Sequence, residues 1–536
     1  MAVHVPFSMY HAVDIGISSG QIVIALVLLF GLAVVASDYL DGWRQRRALR
    51  GIPIVDGGSY MRPQLRWKCF DAEKEYARAY QQYSKAGKPY ATRIQNDNYA
   101  IVLPLNSAKE WRSLPHDQLS FLHALAEFAD MNMYSDVTDR TPIQAVHNCN
   151  NAESLNHLNK LLARETDKAL PLIFGHPNGN IEWKALNTFQ TILSLCSTVT
   201  MTLLLGPDIA PDPALLHHAM SFGDAIMSSC YRRTGYPRIL RPFAWRFSPE
   251  CRNLRTSLSI VRAKLAPEIS RRIAVARAAD KTKDVRPSSL LDALVAAAFD
   301  DGSLSRDAKC ADEAAQVQLL ADDLLFYHFE LSKPTTVNIV FQLYAIMNHR
   351  EYMAPLREEA LHALKLTDGD WTVETLKHAP KLESFAKETF RLYDISPLVS
   401  FRRVMKDVTL NSIGLSLRPG TIVVSPCRNV HLDPEFYEDP TTFNGYRFYD
   451  FSRDTCSPRV ATTSPTFLTF SHGAGTCPAR VLATQICRMI FIKFLLQYDV
   501  ELAQKEILPY GYTNGPVYFP NTSVMMRIRP RSDGKQ

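Results

Sequence analysis

The hydrophobic pattern begins with a block and then settles into a helical rhythm. Residues 22–36 (IVIALVLLFGLAVVA) are apolar without a break, and the run extends to 15–37 once Gly, Ser and Gln are admitted. A helix needs about 20 mainly apolar residues to cross a bilayer. No Lys or Arg precedes the run, whereas Arg44, Arg46, Arg47 and Arg50 follow it. The positive-inside rule then keeps the C-terminal side in the cytosol. A cleaved signal peptide would carry a positive leading segment and a shorter apolar core. Gly51-Ile52-Pro53 breaks the helix and reads as a hinge. The sequon Asn521-Thr522-Ser523 is expected to stay unglycosylated on the cytosolic side.

Past the hinge, apolar positions recur at helical spacing over 72–88, 117–128, 152–173, 181–205, 213–230, 250–281, 316–347, 382–393 and 481–497. Short strand-like pieces fall at 99–104, 408–410, 421–424 and 523–528. Pro237, Pro242 and Pro249 mark connections. No repeat, long linker or low-complexity tract interrupts the body. The pattern predicts a mainly α domain with a small β region over residues 51–536, behind a membrane anchor and basic stop segment over residues 1–50.

Composition narrows the function. Of 536 residues, 46% are hydrophobic and 21% charged, as in a globular protein. A formal charge of +6, with no basic stripe interleaved with aromatics, argues against nucleic acid as a partner. The ten cysteines are scattered without CxxC or zinc-like spacing, so most read as reduced core residues. No glycine-rich loop opens a nucleotide-binding βαβ unit, and His-x-x-x-His spacing is missing.

Three stretches carry chemistry. Glu388 and Arg391 share a helix face at i and i+3, a pairing that most often marks a surface salt bridge. Residues 438–448 (EDPTTFNGYRF) place Arg447 in a proline-punctuated aromatic segment. Residues 470–480 (FSHGAGTCPAR) run a glycine-bearing loop into Cys477 just before a helix, where the dipole and free N–H groups favour a thiolate. That loop alone fits either a buried free cysteine or a thiolate ligand to a planar metal macrocycle.

Taken in order, the ExxR helix, the PxxFxxxRF stretch and F-x-x-G-x-x-x-C-P resemble the cytochrome P450 family of haem-thiolate enzymes. The resemblance spans nearly the whole chain and is strongest to fungal microsomal members, which carry stretches similar to 83–85 (YSK), 110–115 (EWRSLP) and 351–359 (EYMAPLREE). It implies a cytochrome P450 fold preceded by an N-terminal transmembrane helix, with haem b as cofactor. Cys477 would be the axial thiolate and so the metal ligand. Glu388, Arg391 and Arg447 would form a buried charge triad, Phe470 would pack on the thiolate side of the porphyrin, and Arg402 would reach a haem propionate. Residues 396–401 would line the substrate cavity, with Tyr327, Phe329, Leu331, Leu398 and Phe401 giving an apolar pocket.

Three departures from the family pattern stand out. Gly475 occupies the place of a usual His or Arg propionate ligand, and Ala479 that of a usual Gly. Arg402 or His472 is left to make up the first loss. On the distal helix, one register puts Lys333 and Pro334 in the acid–alcohol slots and the other puts Glu330 and Leu331 there. Pro334 removes a donor and frees the carbonyl of Glu330, which predicts a kink, with Thr335 or Glu330 completing a proton path as candidate catalytic residues.

The resemblance therefore implies a monooxygenase of specialised metabolism in the endoplasmic reticulum membrane, single-pass with a cytosolic catalytic domain. An NADPH-dependent cytochrome reductase would supply electrons. The substrate would be a hydrophobic small molecule, such as a terpenoid, polyketide or indole alkaloid intermediate. Arg480, Arg488 and Lys493 are candidates to face the reductase. The alternatives are a non-hydroxylating reaction (rearrangement, dehydration, desaturation or radical coupling) and a non-catalytic haem-binding membrane protein.

Overall fold

The computed structural model describes residues 19–56, 71–94, 98–128, 146, 150–175, 182–206, 212–234, 236–278, 289–300, 302, 304, 313–504, 510–514 and 517–531. The apolar N-terminal run forms helix α1 (Ser19–Ala48), whose side chains from Ile22 to Leu32 are exposed. By length and by the apolarity of its first part, α1 is able to cross a bilayer.

The body contains α2 (Ala72–Ala79), α3 (Ala108–Trp111), α4 (Phe121–Phe128), α5 (Ala152–Phe174), α6 (Thr188–Leu205), α7 (Pro213–Thr234), α8 (Arg241–Phe247) and α9 (Pro249–Ala278). It continues with α10 (Leu290–Asp300), α11 (Glu313–Asn348), α12 (Met353–Leu366), α13 (Val373–Lys377), α14 (Pro380–Leu392), α15 (Cys427–His431) and α16 (Arg480–Gln497). The starts of α5 and α6 are set by asparagine caps: Asn151 and Asn187 accept the N–H groups of Ser154 and Gln190, both at 2.9 Å. Both helices end at glycines with positive φ, Gly175 and Gly206.

The strands are β1 (Ile54–Val55), β2 (Tyr90–Arg93), β3 (Tyr99–Val102), β4 (Leu119–Ser120), β5 (Lys184–Asn187), β6 (Val399–Val404), β7 (Val408–Leu410) and β8 (Leu415–Leu417). After them come β9 (Ile422–Ser425), β10 (Tyr449–Asp450), β11 (Thr455–Cys456), β12 (Tyr498–Leu502), β13 (Gly511–Asn514), β14 (Val517–Pro520) and β15 (Met525–Pro530). The largest sheet runs β1-β2-β3-β9-β6-β4, and a smaller one runs β12-β15-β5.

Most periodic segments are helical within a few residues of expectation. Three begin or end differently. The segment 181–205 divides at Asn187, because residues 184–187 pair with β15 and the asparagine caps α6. The segment 72–88 leaves α-geometry after Ala79, where Tyr80–Ser84 form a π turn. Residues 119–120 of the third join the sheet through β6 before α4 begins.

Helix α11 is the spine of the core. It packs on α6, α9 and α16, and Leu343, Tyr344, Ala345 and Ile346 are fully buried. Helix α6 is also apolar enough to span a membrane, but it is mostly buried within the fold. Helix α11 continues through Pro334 as one helix. In the main sheet, the β6–β9 register shifts between Val399 and Arg402, and Ser400 has φ of 59°. A bulge of this kind re-aims the side chains that follow it. Here the re-aimed residue is Arg402.

Candidate active site

Helix α14 brings Glu388 and Arg391 into the core with no exposed side-chain surface. Arg391 forks onto the carboxylate, Nε to Oε2 at 2.7 Å and Nη2 to Oε1 at 2.8 Å. Its Nη1 donates to the carbonyls of His431 (2.6 Å) and Pro440 (2.7 Å). Arg447 completes the triad, Nε to Oε1 of Glu388 at 3.0 Å, and its Nη2 donates to the carbonyls of Asp439 and Thr442. The triad staples residues 438–447 to α14. It is a buried network and not a surface ion pair.

A relay of hydrogen bonds leads from the triad to the cysteine loop. His431 lies under Arg391, its Nδ1 3.2 Å from the Arg391 carbonyl, and its Nε2 accepts the N–H of Leu468 at 2.9 Å. That geometry places the ring proton on Nδ1. Burial pushes the imidazole down to about 3, so it stays neutral. Cys427 donates its thiol to Asp394 at 3.2 Å beside it. Asp394, Cys427 and His431 have the donor types of a metal site. Both ring nitrogens of His431 are already engaged, so the cluster serves as a hydrogen-bonded knot.

The loop itself folds back on its first residue. Cys477 N–H donates to the Phe470 carbonyl at 2.9 Å, and Phe470 lies against Phe390 at 5.6 Å between ring centroids. Gly473 has φ of 88°, and a Cβ there would meet the Arg112 carbonyl at 2.6 Å, so only glycine fits. Ala474 N–H donates to that same carbonyl at 2.9 Å. Helix α16 starts behind Ala479 without a side-chain cap, and the backbone N–H groups of Ala479 and Arg480 pull the Cys477 thiol downward. Burial nevertheless pushes the thiol up to about 11. A metal ion against the sulfur would reverse this, since a coordinating thiol is deprotonated outright.

Arg402 is buried, with Nη1 donating to the Phe401 carbonyl at 2.6 Å and the guanidinium 5.5 Å from the Phe121 ring centroid. Among the described residues no carboxylate pairs with it. A buried, unpaired guanidinium beside a loop thiol fits a macrocycle that carries both a metal and peripheral carboxylates. The donor set therefore fits haem b, with Cys477 toward the iron and Arg402 toward a carboxylate.

Helix α11 passes near Cys477. Glu330 is close enough to act on the Cys477 thiol, and it makes no hydrogen bond or ion pair among the described residues. Burial raises its carboxyl to about 7. Lys333 turns outward from the same helix and pairs with Asp224 of α7. There the two helices cross closely, because a Cβ at Gly223 would lie 2.8 Å from the Phe329 ring. Thr335 is 2% exposed, and its carbonyl is approached by the Cys487 thiol at 3.9 Å. Five residues separate Glu330 from Thr335, about 140° around a regular helix, so they do not share a face.

The remaining expected positions sort unevenly. Tyr327 and Leu331 are buried in the main core, whereas Leu398 and Phe401 pack with Tyr76 and Tyr90 in a separate cluster. Phe329 covers the α7 crossing. Arg488 and Lys493 do not form a docking face: both are buried, paired with Glu383 and with Asp167 respectively. A helix that is apolar around most of its circumference turned these cations inward. Arg480 donates to the Cys477 carbonyl at 3.0 Å.

Sequence reasoning missed His431 and Lys387. Lys387 is 1% exposed, donates to the Pro458 carbonyl at 2.6 Å and lies over the rings of Phe448 and Phe467. Neither has a periodic or spacing signal that distinguishes it from a solvated residue.

Known proteins resemble this chain in sequence and in fold. The family model for cytochrome P450 matches residues 252–522. Bicoumarin synthase ktnC of Aspergillus niger is 82% identical over 410 residues, covering 76% of this chain and 97% of its own. Cytochrome P450 monooxygenase afvE of Aspergillus flavus is 59% identical, covering 87% and 98%. Bicoumarin synthase desC of Aspergillus desertorum is 47% identical, covering 94% and 96%. A solved retinoic-acid-bound cyanobacterial CYP120A1 shares the fold with a TM-score of 0.64 at 16% identity, over 90% of this chain and 99% of its own. The chain belongs to the cytochrome P450 family, and it is a haem-thiolate oxidoreductase of fungal specialised metabolism.

Proposed function

We propose that this enzyme joins two phenolic coumarins through a new aryl–aryl bond. The observation that carries this reading is the similarity to two bicoumarin synthases, 82% and 47% identical. The distal helix supports it, since Lys333 and Pro334 stand where one register expects an acid and an alcohol for oxygen insertion. In the balanced reaction each monomer loses one hydrogen and the two aryl carbons bond. Dioxygen takes those two electrons and two protons, plus two electrons and two protons drawn from NADPH and solvent through a cytochrome reductase. Two waters leave.

Bound haem supplies the oxygen-activating, one-electron chemistry. The protein's part is to hold and to proton-supply. Cys477 would hold the iron, Phe470 would back the ring, Arg402 would meet a carboxylate, and the Glu388–Arg391–Arg447 triad keeps the loop in place. The Glu330 carboxyl is the proton donor on the facing side, with the Thr335 hydroxyl as the second candidate. Tyr327 and Leu331 contribute apolar wall against the aromatic monomers.

Oxygen insertion into a C–H bond is the second reading, favoured by the unpaired acid at Glu330 and by the similarity to monooxygenases. Turnover with a reductase, NADPH, a phenolic coumarin and isotopically labelled dioxygen separates the two. Coupling yields a dimer with two hydrogens fewer than two monomers and with label in water alone. A monomeric product carrying the label would overturn it.

Residues 1–50 act as a single-pass anchor in the endoplasmic reticulum membrane, with residues 51–536 as the cytosolic catalytic domain. Beyond α1 itself, the exposed Ile239, Phe243 and Phe247 support a membrane-facing surface, since α1 lies against residues 238–240. Alkaline extraction of the full chain and of a form lacking residues 1–50 tests this. The full chain is expected to stay in the membrane fraction.

A further inference from the structure

A second buried cation stands near Arg402 that neither the loop pattern nor the resemblance assigns a role. Arg112 follows α3 and is 6% exposed. Its Nη2 donates to Ser425 Oγ at 2.9 Å, while its Nε and Nη1 are buried without any hydrogen-bond partner. Its backbone carbonyl receives Ala474 N–H, so the residue is held against the cysteine loop whatever its side chain does. Arg402, 5% exposed, is near enough for the two guanidinium groups to repel. Burial pushes both down to about 10, and the repulsion adds to the fall at Arg402.

Two buried like charges, with donors left over and no carboxylate among the described residues, make up an incomplete ionic site. Such an arrangement is strongly unfavourable until an anion enters. The missing partner must be anionic, must carry oxygens for at least two donors, and must arrive beside Cys477. The two propionates of haem meet all three conditions. We propose that Arg112 is a haem-carboxylate ligand that acts with Arg402 and supplies the second cation that Gly475, without a side chain, does not.

The test follows haem leaving the holoenzyme for excess apomyoglobin, in the native enzyme and in Arg112→Gln. The variant is expected to lose haem about ten- to a hundredfold faster, as befits a lost charge-assisted hydrogen bond. Its reduced carbon monoxide complex is expected to keep the thiolate signature. Both proteins are then reconstituted with haem dimethyl ester, which has no carboxylates. Their loss rates are expected to converge. Equal rates with ordinary haem would overturn the proposal, and so would a difference that persists with the ester, since that would make Arg112 a support for the loop. Should Arg112→Gln not fold, Arg402→Gln decides. If haem and its ester leave that variant at the same rate, Arg402 alone held the carboxylates and the proposal fails. If haem still leaves more slowly, a second cation remains.

Discussion

The guanidinium of Arg402 occupies the space that a side chain at position 475 would need. A Cβ built on Gly475 would overlap its Nη2 and Cζ. Position 475 is therefore empty of side chain because β6 delivers a cation there from across the sheet, through the bulge that precedes Arg402. Gly475→Arg is expected to displace Arg402 and to lower stability by about 1–3 kcal/mol, as overpacking of a filled site does. Thermal melting and the haem-to-protein ratio measure it. Adding Arg402→Ala to Gly475→Arg should restore most of the loss. A single substitution with unchanged melting and haem content would show that the loop has room to spare.

Glu388 accepts both nitrogens of the Arg391 fork, Nε of Arg447 and the N–H of Asn444. Glu388→Ala leaves a buried guanidinium uncompensated, a loss of about 3–5 kcal/mol. The expected outcome is protein without haem, because the 438–447 segment and then Leu468 lose their anchor. Pyridine haemochromogen analysis of purified protein checks it, and normal haem content would refute the role given to the triad.

Cys477→Ala is expected to abolish the red-shifted Soret band of the reduced carbon monoxide complex. The substitution removes the sulfur while leaving the α16 N–H groups in place. A band that persists unshifted would move the ligand elsewhere in the chain.

The Glu330 carboxyl, raised by burial to about 7, is protonated below that pH and ionised above it. Relative to an ordinary glutamate, the folded protein holds an extra proton between the normal carboxylate range and about 7. Its contribution to stability therefore declines as pH rises through that window and is constant above it. If it donates protons, product formed per NADPH consumed falls as pH rises through about 7. In Glu330→Gln this dependence should flatten. A pH profile unchanged by the substitution would remove Glu330 from the proton path.

Much of this protein is decided locally and is legible in the chain. The anchor is a matter of length and apolarity, and helices such as α5 and α16 follow from 3.6-residue periodicity with their caps. The Cys477 loop, the Glu388–Arg391 pair and Arg447 are each visible as short motifs, and their order along the chain identified them together. What tertiary structure alone decided are the relationships between distant segments. Taken alone, Glu388 and Arg391 fit a surface pair; the resemblance implied a buried triad with Arg447, and the fold shows what buries it, the 438–447 segment closing over α14. Arg488 and Lys493 looked like solvated cations, yet Glu383 and Asp167 from other helices drew them inward. Gly475 read as a lost ligand, and only the bulge in β6 shows that Arg402 has taken its volume. Periodicity reports which face of one element is apolar, whereas charge pairing and volume exchange depend on which second element arrives there.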